Sequence, residues 1–586
     1  MSKVEQEIVS AVLEDFKKRQ EARRPVELNW RLNMNFVIGN QFSEISARGD
    51  VEEYGRQYYW QCREVYNHIA PILETRLSKL ARVKAKASVR PSTPDDSDRA
   101  SADVATKLIQ AVSAENGFSS LMSEANVWSE VTGCVFYKIT WDTAKGMALT
   151  ADGSLKEGEV RISVCPPFEI FPENIAVADL DAQPSVMHVK VMGTEDVHRI
   201  WKKRVQGRTL NVFSFENADV LGGFGYHATV PKMVSEARED AVLVIEKYEL
   251  PTEEHPDGRL LIVAGDALVH DGPLPYVNGE DGKRGYPFAR QVCLDSLGNF
   301  FGSSVVERII PVQRAYNAVK NRKHEFMNRI AMGVLAVEDG SVDTEALEEE
   351  GLPPGKILVY RQGSTPPVML NAGSVPSEFG AEEEKLLNEF VMISGVSEVT
   401  TYSQVPSNVS SGTAISLLLE QDDTRISLTA DSLREAVKRI GRHIIRLYKQ
   451  FAAAPRMKRV VGESGEVEIM QFSANDLGSE DVTFDTTNEI EDTLSARRAM
   501  VYDLLNLGLF SDESGAIPSR TKTKLLEILG FGNWEQSRDT DEAHIAKAER
   551  ENFELRTREV TPDVLDDHAL HIAEHTRLVV SAPCEK

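Results

Sequence analysis

The helical pattern from Thr413 to Phe451 is the feature that most limits what this chain can become. At about 1.5 Å per residue, a continuous helix of that length would run roughly 60 Å, more than the diameter of a small domain. It needs neighbours along its length. Leu433, Val437, Ile440, Ile444 and Leu447 form a stripe for burial, while Arg434, Lys438, Arg439, Arg442, Arg446 and Lys449 occupy the other faces. The stripe is core material, and the cations point to neighbouring subunits. At 586 residues the chain is too long for one ordinary core, and its length predicts about three or four structural units.

The rest of the chain alternates helical and strand-rich stretches. Ile8, Val9, Val12, Leu13 and Phe16 recur at helical spacing over residues 5–20, followed by a Gly-Asn turn in "NFVIGNQF". An aromatic-rich helix is predicted from "YGRQYYW" to about Lys79, then a basic extended segment, then a second helix from Arg99 to about Val131. "GCVFYKITWD" reads as the first strand of a sheet. Residues 157–294 are mostly strands and turns, with a helix around 193–205. A basic helix starts after Gly302 and extends to Arg329, with Pro311 tolerable in its first turns or at a bend. A short, turn-rich and acidic stretch follows, then a helix at "AEEEKLLNEFVMISG" and a polar loop before Thr413. Strands return at "EVEIMQFSANDL" and "SEDVTFDTTNEI", and helical segments close the chain. The fold class is α+β.

Composition restricts function. The chain is 41% hydrophobic and 27% charged, as a folded protein should be, and its net charge of −25 opposes non-specific adhesion to nucleic acid or anionic membrane. A local or ring-shaped contact with DNA remains compatible with that charge. Cysteines 62, 134, 165, 293 and 584 form no CxxC pair, which predicts free thiols in reducing surroundings. With no signal-like start and no apolar run of about 20 residues, a cytosolic product or an assembly built there is expected.

Motifs for chemistry are missing. "GEDGKRG" and "VVGESGE" lack phosphate-loop spacing, and HExxH, GxSxG and GxGxxG do not occur. With 91 acidic residues, chance pairing of carboxylates is expected. The best metal candidate is "DDHALHIAEHT", where helical spacing aligns His568, His571 and His575 beside Glu574. An ordinary polar helix face explains it as well, and no metal or cofactor is assigned. Two further segments are basic. Arg76, Lys79, Arg82, Lys84, Lys86 and Arg90 read as an inter-subunit or surface arm, with a phosphate-contacting arm as the other reading. Arg308, Arg314, Lys320, Arg322, Lys323 and Arg329 read as a subunit interface or as the lining of a nucleic-acid passage.

The order of these pieces resembles the portal (head-to-tail connector) proteins of tailed double-stranded DNA bacteriophages, particularly the large portal subunits of short-tailed phages. The resemblance rests on "NFVIGNQF", "YNHIAPILETRL", "NVWSEVTGCVFYKITWD", "PFARQVCLDSLGNFFGSSVVERIIPVQRAYNAVKNRKHE", the loop and helix at 396–452 and "DDHALHIAEHT". Gly302, Ser304, Pro311, Gln313 and Asn317 are its sharpest local signature. It implies a portal architecture: an N-terminal helix (1–24), a mixed α/β wing (25–300), a first stem helix (301–330), a small strand-rich clip (331–376) and a second stem helix (377–395). A tunnel loop (396–411), a long wing helix with returning wing strands (412–490) and a helical crown and C-terminal region (491–586) complete it.

The same resemblance implies a non-enzymatic subunit of a closed ring, twelve copies in the family, at a unique capsid vertex of the virion and assembled in the host bacterial cytoplasm. Its partners would be itself, double-stranded DNA passing without sequence specificity, the large terminase, a tail adaptor, the major capsid protein and a scaffolding protein, with no membrane. Thr400, Thr401, Tyr402, Ser403, Gln404, Ser407 and Asn408 would present hydroxyls and amides, not cations, to moving DNA. Glu345, Glu348, Glu349 and Glu350 would meet cations of a docking partner. The alternatives are a non-channel virion or cytosolic scaffold or adaptor, and a metal-dependent nuclease.

Overall fold

The first helix, α1 (Lys3–Ile38), runs well past the pattern at 5–20 and straight through Pro25. The computed structural model describes residues 3–484 apart from 47–50, 56–60, 84–86, 94, 149–155, 213–214, 216–236, 280–281, 333, 346, 348–356, 371–374, 397–411, 453–454 and 462–466. Beyond these it describes 505, 544, 547–548, 551–552, 555, 561–563 and 565–579. Two compact units result, one of residues 1–460 with 469–485, the other of 461–468 with 486–586.

In the first unit, β1 (Ser43–Ile45), β2 (Val51–Glu53), α2 (Ile69–Leu80), β3 (Ala87–Val89), α3 (Asp96–Glu115) and α4 (Phe118–Thr132) follow α1. The strands β4 (Cys134–Asp142), β5 (Glu159–Cys165), β6 (Ile170–Pro172) and β7 (Ser185–Gly193) come next, then α5 (Thr194–Trp201), β8 (Arg208–Asn211) and β9 (Ala237–Glu249). After them are β10 (Arg259–Ala264), β11 (Ala267–Gly272), β12 (Phe288–Val292), α6 (Val305–Met332), β13 (Val334–Ala336), β14 (Val368–Leu370), α7 (Glu378–Ser394) and α8 (Gly412–Phe451). The two-stranded pair β15 (Arg456–Val461) and β16 (Val467–Phe472) precedes β17 (Val482–Phe484). The second unit's described helix is α9 (His568–Val579).

A six-stranded antiparallel sheet, ordered β11-β10-β9-β7-β6 with β8 on β9, carries apolar residues on both faces because both are covered. Ala241 and Ile245 of β9, with Leu261 and Val263 of β10, meet Val9, Val12 and Phe16 of α1. Val242, Val244 and Tyr248, with Leu260 and Ile262, point the other way onto Trp30, Phe136, Phe168, Phe288 and Phe300. Strand β12, which periodicity does not disclose, joins β4 and β5 in a second sheet. β17 pairs with β3 across nearly four hundred residues of sequence, so the late strands do return to the early region.

Three helix predictions change. The aromatic helix expected up to Lys79 forms only from Ile69, because Asn67 Oδ1 accepts the Ile69 and Ala70 amides (3.1 and 3.2 Å) and starts the helix there. The helix expected over 99–131 breaks at Gly117, where φ is +59°. α1 is long because its charged residues are not all solvated. Arg23 is 1% exposed, donates to the carbonyls of Pro167, Phe168 and Ile170 (3.1, 2.8 and 3.0 Å) and lies 3.6 Å over the Phe171 ring. Those carbonyls and Glu27 outweigh what Pro25 removes. The four described cysteines are free, and among the described residues no helix is long and apolar enough to cross a membrane.

Candidate functional site

The start of α6 shows why its signature residues have the types they do. Gly302 sits at φ +65°, and a Cβ there would lie 2.3 Å from Val292 Cγ1 and 2.7 Å from the Leu294 carbonyl, so only glycine fits. Ser304 Oγ accepts the Val306 amide (3.0 Å) and donates to the Glu130 carbonyl (2.5 Å), tying the helix start to the end of α4. Pro311 lies in the second turn on an exposed face.

Below this start, Gln313, Asn317, Asn321 and Glu325 recur every fourth residue, and each faces the extended segment before α2. The amides of Cys62, Glu64, Tyr66 and His68 donate to Glu325 Oε1 (3.1 Å), Asn321 Oδ1 (2.9 Å), Asn317 Oδ1 (3.0 Å) and Gln313 Oε1 (3.0 Å). In return Asn321 Nδ2 donates to the Glu64 carbonyl (3.0 Å) and Gln313 Nε2 to the Tyr66 carbonyl (2.7 Å). Four helical residues rise about 6.0 Å and two extended residues about 6.6 Å, so the repeats stay in step over four rungs. A row of helix side chains thus substitutes for the edge of a sheet. Sequence periodicity missed it; the signal was the four-residue spacing of amide and acid side chains beside the apolar stripe.

α6 and α7 pack antiparallel, with Tyr316 against Phe390 (5.9 Å between ring centres) at one end and Phe326 against Phe379 (6.2 Å) at the other. Ile309, Ile310, Val312, Leu386 and Phe390 share a core with Phe36, Ile69 and Ile72. Lys320 and Lys323 (2.9 Å) both bind Glu383. Burial works against the Glu383 charge, but the two lysines outweigh it and hold the carboxyl below its usual range. Arg314 donates to the Ser43 carbonyl (2.9 Å). Arg308 reaches Ser303 Oγ at 3.5 Å and is exposed; the Arg322 side chain, 70% exposed, lies 3.5 Å from Glu325. The side chain of Arg329 is outside the described residues.

The other sequence candidates fall variously. Arg76 and Lys79 are buried within the chain, so they belong neither to the expected inter-subunit or surface arm nor to a phosphate-contacting one: Arg76 pairs with Glu130 (2.7 Å) and donates to Thr429 Oγ1 (3.2 Å) and the Ser394 carbonyl (3.3 Å). Arg82 and Arg90 are exposed, and Lys84 and Lys86 lie outside the described residues. On α8 the expected stripe is buried, but the cations read as inter-subunit groups are mostly paired within the chain. Arg434 binds Asp431, Lys438 binds Glu435, Arg439 binds Asp181, and both Arg446 and Lys449 bind Glu480. Between α6 and α7, β13 and β14 form the expected small sheet. Glu345 is exposed there; Glu348, Glu349 and Glu350 lie outside the described residues, as do Thr400, Thr401, Tyr402, Ser403, Gln404, Ser407 and Asn408.

Three described groups have ligand atoms spaced as a metal would need. In the second unit, His571 and His575 share Glu551 (3.0 and 3.5 Å) and His571 also approaches Asp566 (3.7 Å), while His568 is exposed and does not join them. Lys547 already binds Asp566. Cys165, Glu169 and His188 meet in the first unit, where the Lys138 ammonium and Glu246 complete a buried ion network. An ammonium is resident in each network, Lys547 on Asp566 and Lys138 on Glu246, and supplies positive charge there.

Around α6 the described residues build a braced pair of antiparallel helices joined through residues 333–377. The family model for the phage P22-like portal protein matches residues 13–504, from within α1 to beyond β17. The chain belongs to the phage P22-like portal protein family. No curated protein matches it. As a portal protein it is a structural head-to-tail connector of a bacteriophage virion, a DNA conduit and docking platform, and not an enzyme. The portal's mixed α/β content accords with that membership.

Proposed function

We propose that this portal subunit closes a ring, with twelve copies as the family resemblance implies, and that α6 and α7 form its stem. Residues 331–376 are then the clip, 396–411 the tunnel loop, the sheets of 25–300 with the returning strands the wing, and 491–586 the crown. The observation that carries this reading is the linker between α6 and α7. Ile357 and Val359 are 85% and 82% exposed, and Tyr360, Val368, Met369 and Leu370 of the same linker are exposed as well. Apolar exposure concentrated in one linker marks a surface that another chain covers. Neighbouring clips are the economical cover, because every copy brings the same patch.

Lys320 and Lys323, satisfied by Glu383, fasten the stem pair, which leaves exposed Arg308 and Arg322 to meet a neighbouring copy. The net charge of −25 per copy keeps the ring from holding the duplex it passes, since each neutralised phosphate adds affinity. The polar tunnel loop and the acidic clip serve passage and docking of the large terminase, a tail adaptor, the major capsid protein and scaffolding protein at one capsid vertex. Val359→Asp combined with Leu370→Asp tests the reading. Loss of rings by native mass spectrometry, with circular dichroism unchanged, is expected; rings that persist would overturn the clip as the place where copies meet.

A further inference from the structure

Arg442 is the exception among the cations of α8: it is half-buried, and among the described residues it makes no ion pair or hydrogen bond. It lines an open cleft with Arg439, His443 and Arg446 of the same helix, against the segments around Pro251 and Gly279. Six lysines and arginines line this cleft against three carboxylates, in a chain whose overall charge is strongly negative.

The other arginines are already held. Arg446 binds Glu480 (2.8 Å) and the Gly279 carbonyl (3.1 Å), Arg284 binds Asp257 (3.3 Å), and Arg439 binds Asp181. Two of the three lining carboxylates, Asp181 and Glu435, are engaged by Arg439 and Lys438. Beside Arg442, His443 is 3% exposed and its Nδ1 has no partner. A buried polar atom without a partner costs roughly 1–3 kcal/mol and calls for an explanation. Burial, followed by Arg439, Arg446 and Arg442, holds this imidazole well below its ordinary pKa, so it is neutral and can present one N–H.

We propose that this cleft is a phosphate-binding site, in which the Arg442 guanidinium grips the phosphate oxygens beside the His443 imidazole. A phosphate suits it better than a single carboxylate because Arg442 holds no carboxylate among the described residues, its guanidinium fork binds two oxygens at once, and a phosphate offers it more charge and more acceptor oxygens. The phosphate comes from a free phosphate-bearing small molecule or from a DNA backbone. Ring closure is not needed for this inference.

Titrating the full-length protein with inorganic pyrophosphate, and separately with a short DNA duplex, tests it by calorimetry. One saturable site per chain is expected, weakened at least about tenfold by Arg442→Ala and less by Arg442→Lys. Arg434→Ala, which removes the same charge outside the cleft, should leave binding unchanged. Pyrophosphate binding identifies a free ligand, and binding of duplex alone identifies the backbone; Arg442 dependence in either supports the site. Because Arg442 makes no ion pair or hydrogen bond among the described residues, its variants should keep the wild-type unfolding midpoint, and Arg442→Gln replaces any that does not. Equal binding by wild type and Arg442→Ala, no binding of either probe, or binding of polyglutamate alone would each overturn the proposal.

Discussion

Arg76, one of a run of cations in the sequence, ends 3% exposed with Nε and Nη2 on Glu130 and Nη1 on the Ser394 carbonyl, and so bridges α2, α4, the end of α7 and α8. Burial opposes its charge, but Glu130 more than offsets this and raises its pKa. Removing one partner of a buried pair strands the other at a cost of about 3–5 kcal/mol. Arg76→Met should therefore lower the thermal unfolding midpoint and soluble yield sharply, while Arg76→Met with Glu130→Leu should recover much of both. His188 gives a pH signature. Burial and Lys138 push its pKa down, yet Cys165 and Glu169 outweigh them and raise it to about 10. A group raised on folding contributes fully below its unfolded value of about 6.5 and loses that contribution as pH climbs through its folded value. Between pH about 6.5 and 10 the unfolding midpoint should fall, and His188→Gln should flatten that slope; an equal slope in both proteins would remove His188 from the account.

At the level of elements, apolar periodicity carried far. The stripe of α8, the helix behind Gly302, the β4 strand and the β10-β11 hairpin are where their patterns place them, because the helices bury a repeating face and β4 and β10 are short apolar runs buried on both faces. The extended run at 61–68 was not legible, since its aromatic spacing suits a helix and its actual partner is a row of side chains on α6, distant in sequence. Nor do the buried arginines of α1 announce themselves, because a charged residue at helical spacing reads as solvated until carbonyls are found opposite. The signature residues Gly302, Ser304, Gln313 and Asn317 were legible as a set before their reasons were. The ladder predicts that Asn317→Ala with Asn321→Ala, each leaving backbone groups unpaired at about 1–3 kcal/mol, speeds hydrogen exchange at Glu64 and Tyr66. Exchange unchanged at those amides would mean that the segment is held by its side chains alone.

For the whole molecule, the sequence order led to the family, and the family match over 13–504 makes the chain a portal protein. What one chain displays is consistent with an incomplete surface: apolar residues of the linker stand exposed, and Leu297, Met392 and Leu428 are exposed as well. A subunit stabilised by its neighbours should lose much of its stability when dispersed, because association adds to folding by mass action. Assembled protein should accordingly unfold at a temperature that rises with concentration through the range where rings form. The central claim is that these surfaces meet in a closed ring around a passage for DNA. Electron microscopy of the purified full-length protein, with particles classified by rotational symmetry, tests it most directly. Closed rings with a central channel wider than about 20 Å, enough for a duplex whose grooves and backbone set its width, are the predicted result, and monomers or open pairs that persist across salt and concentration would contradict it.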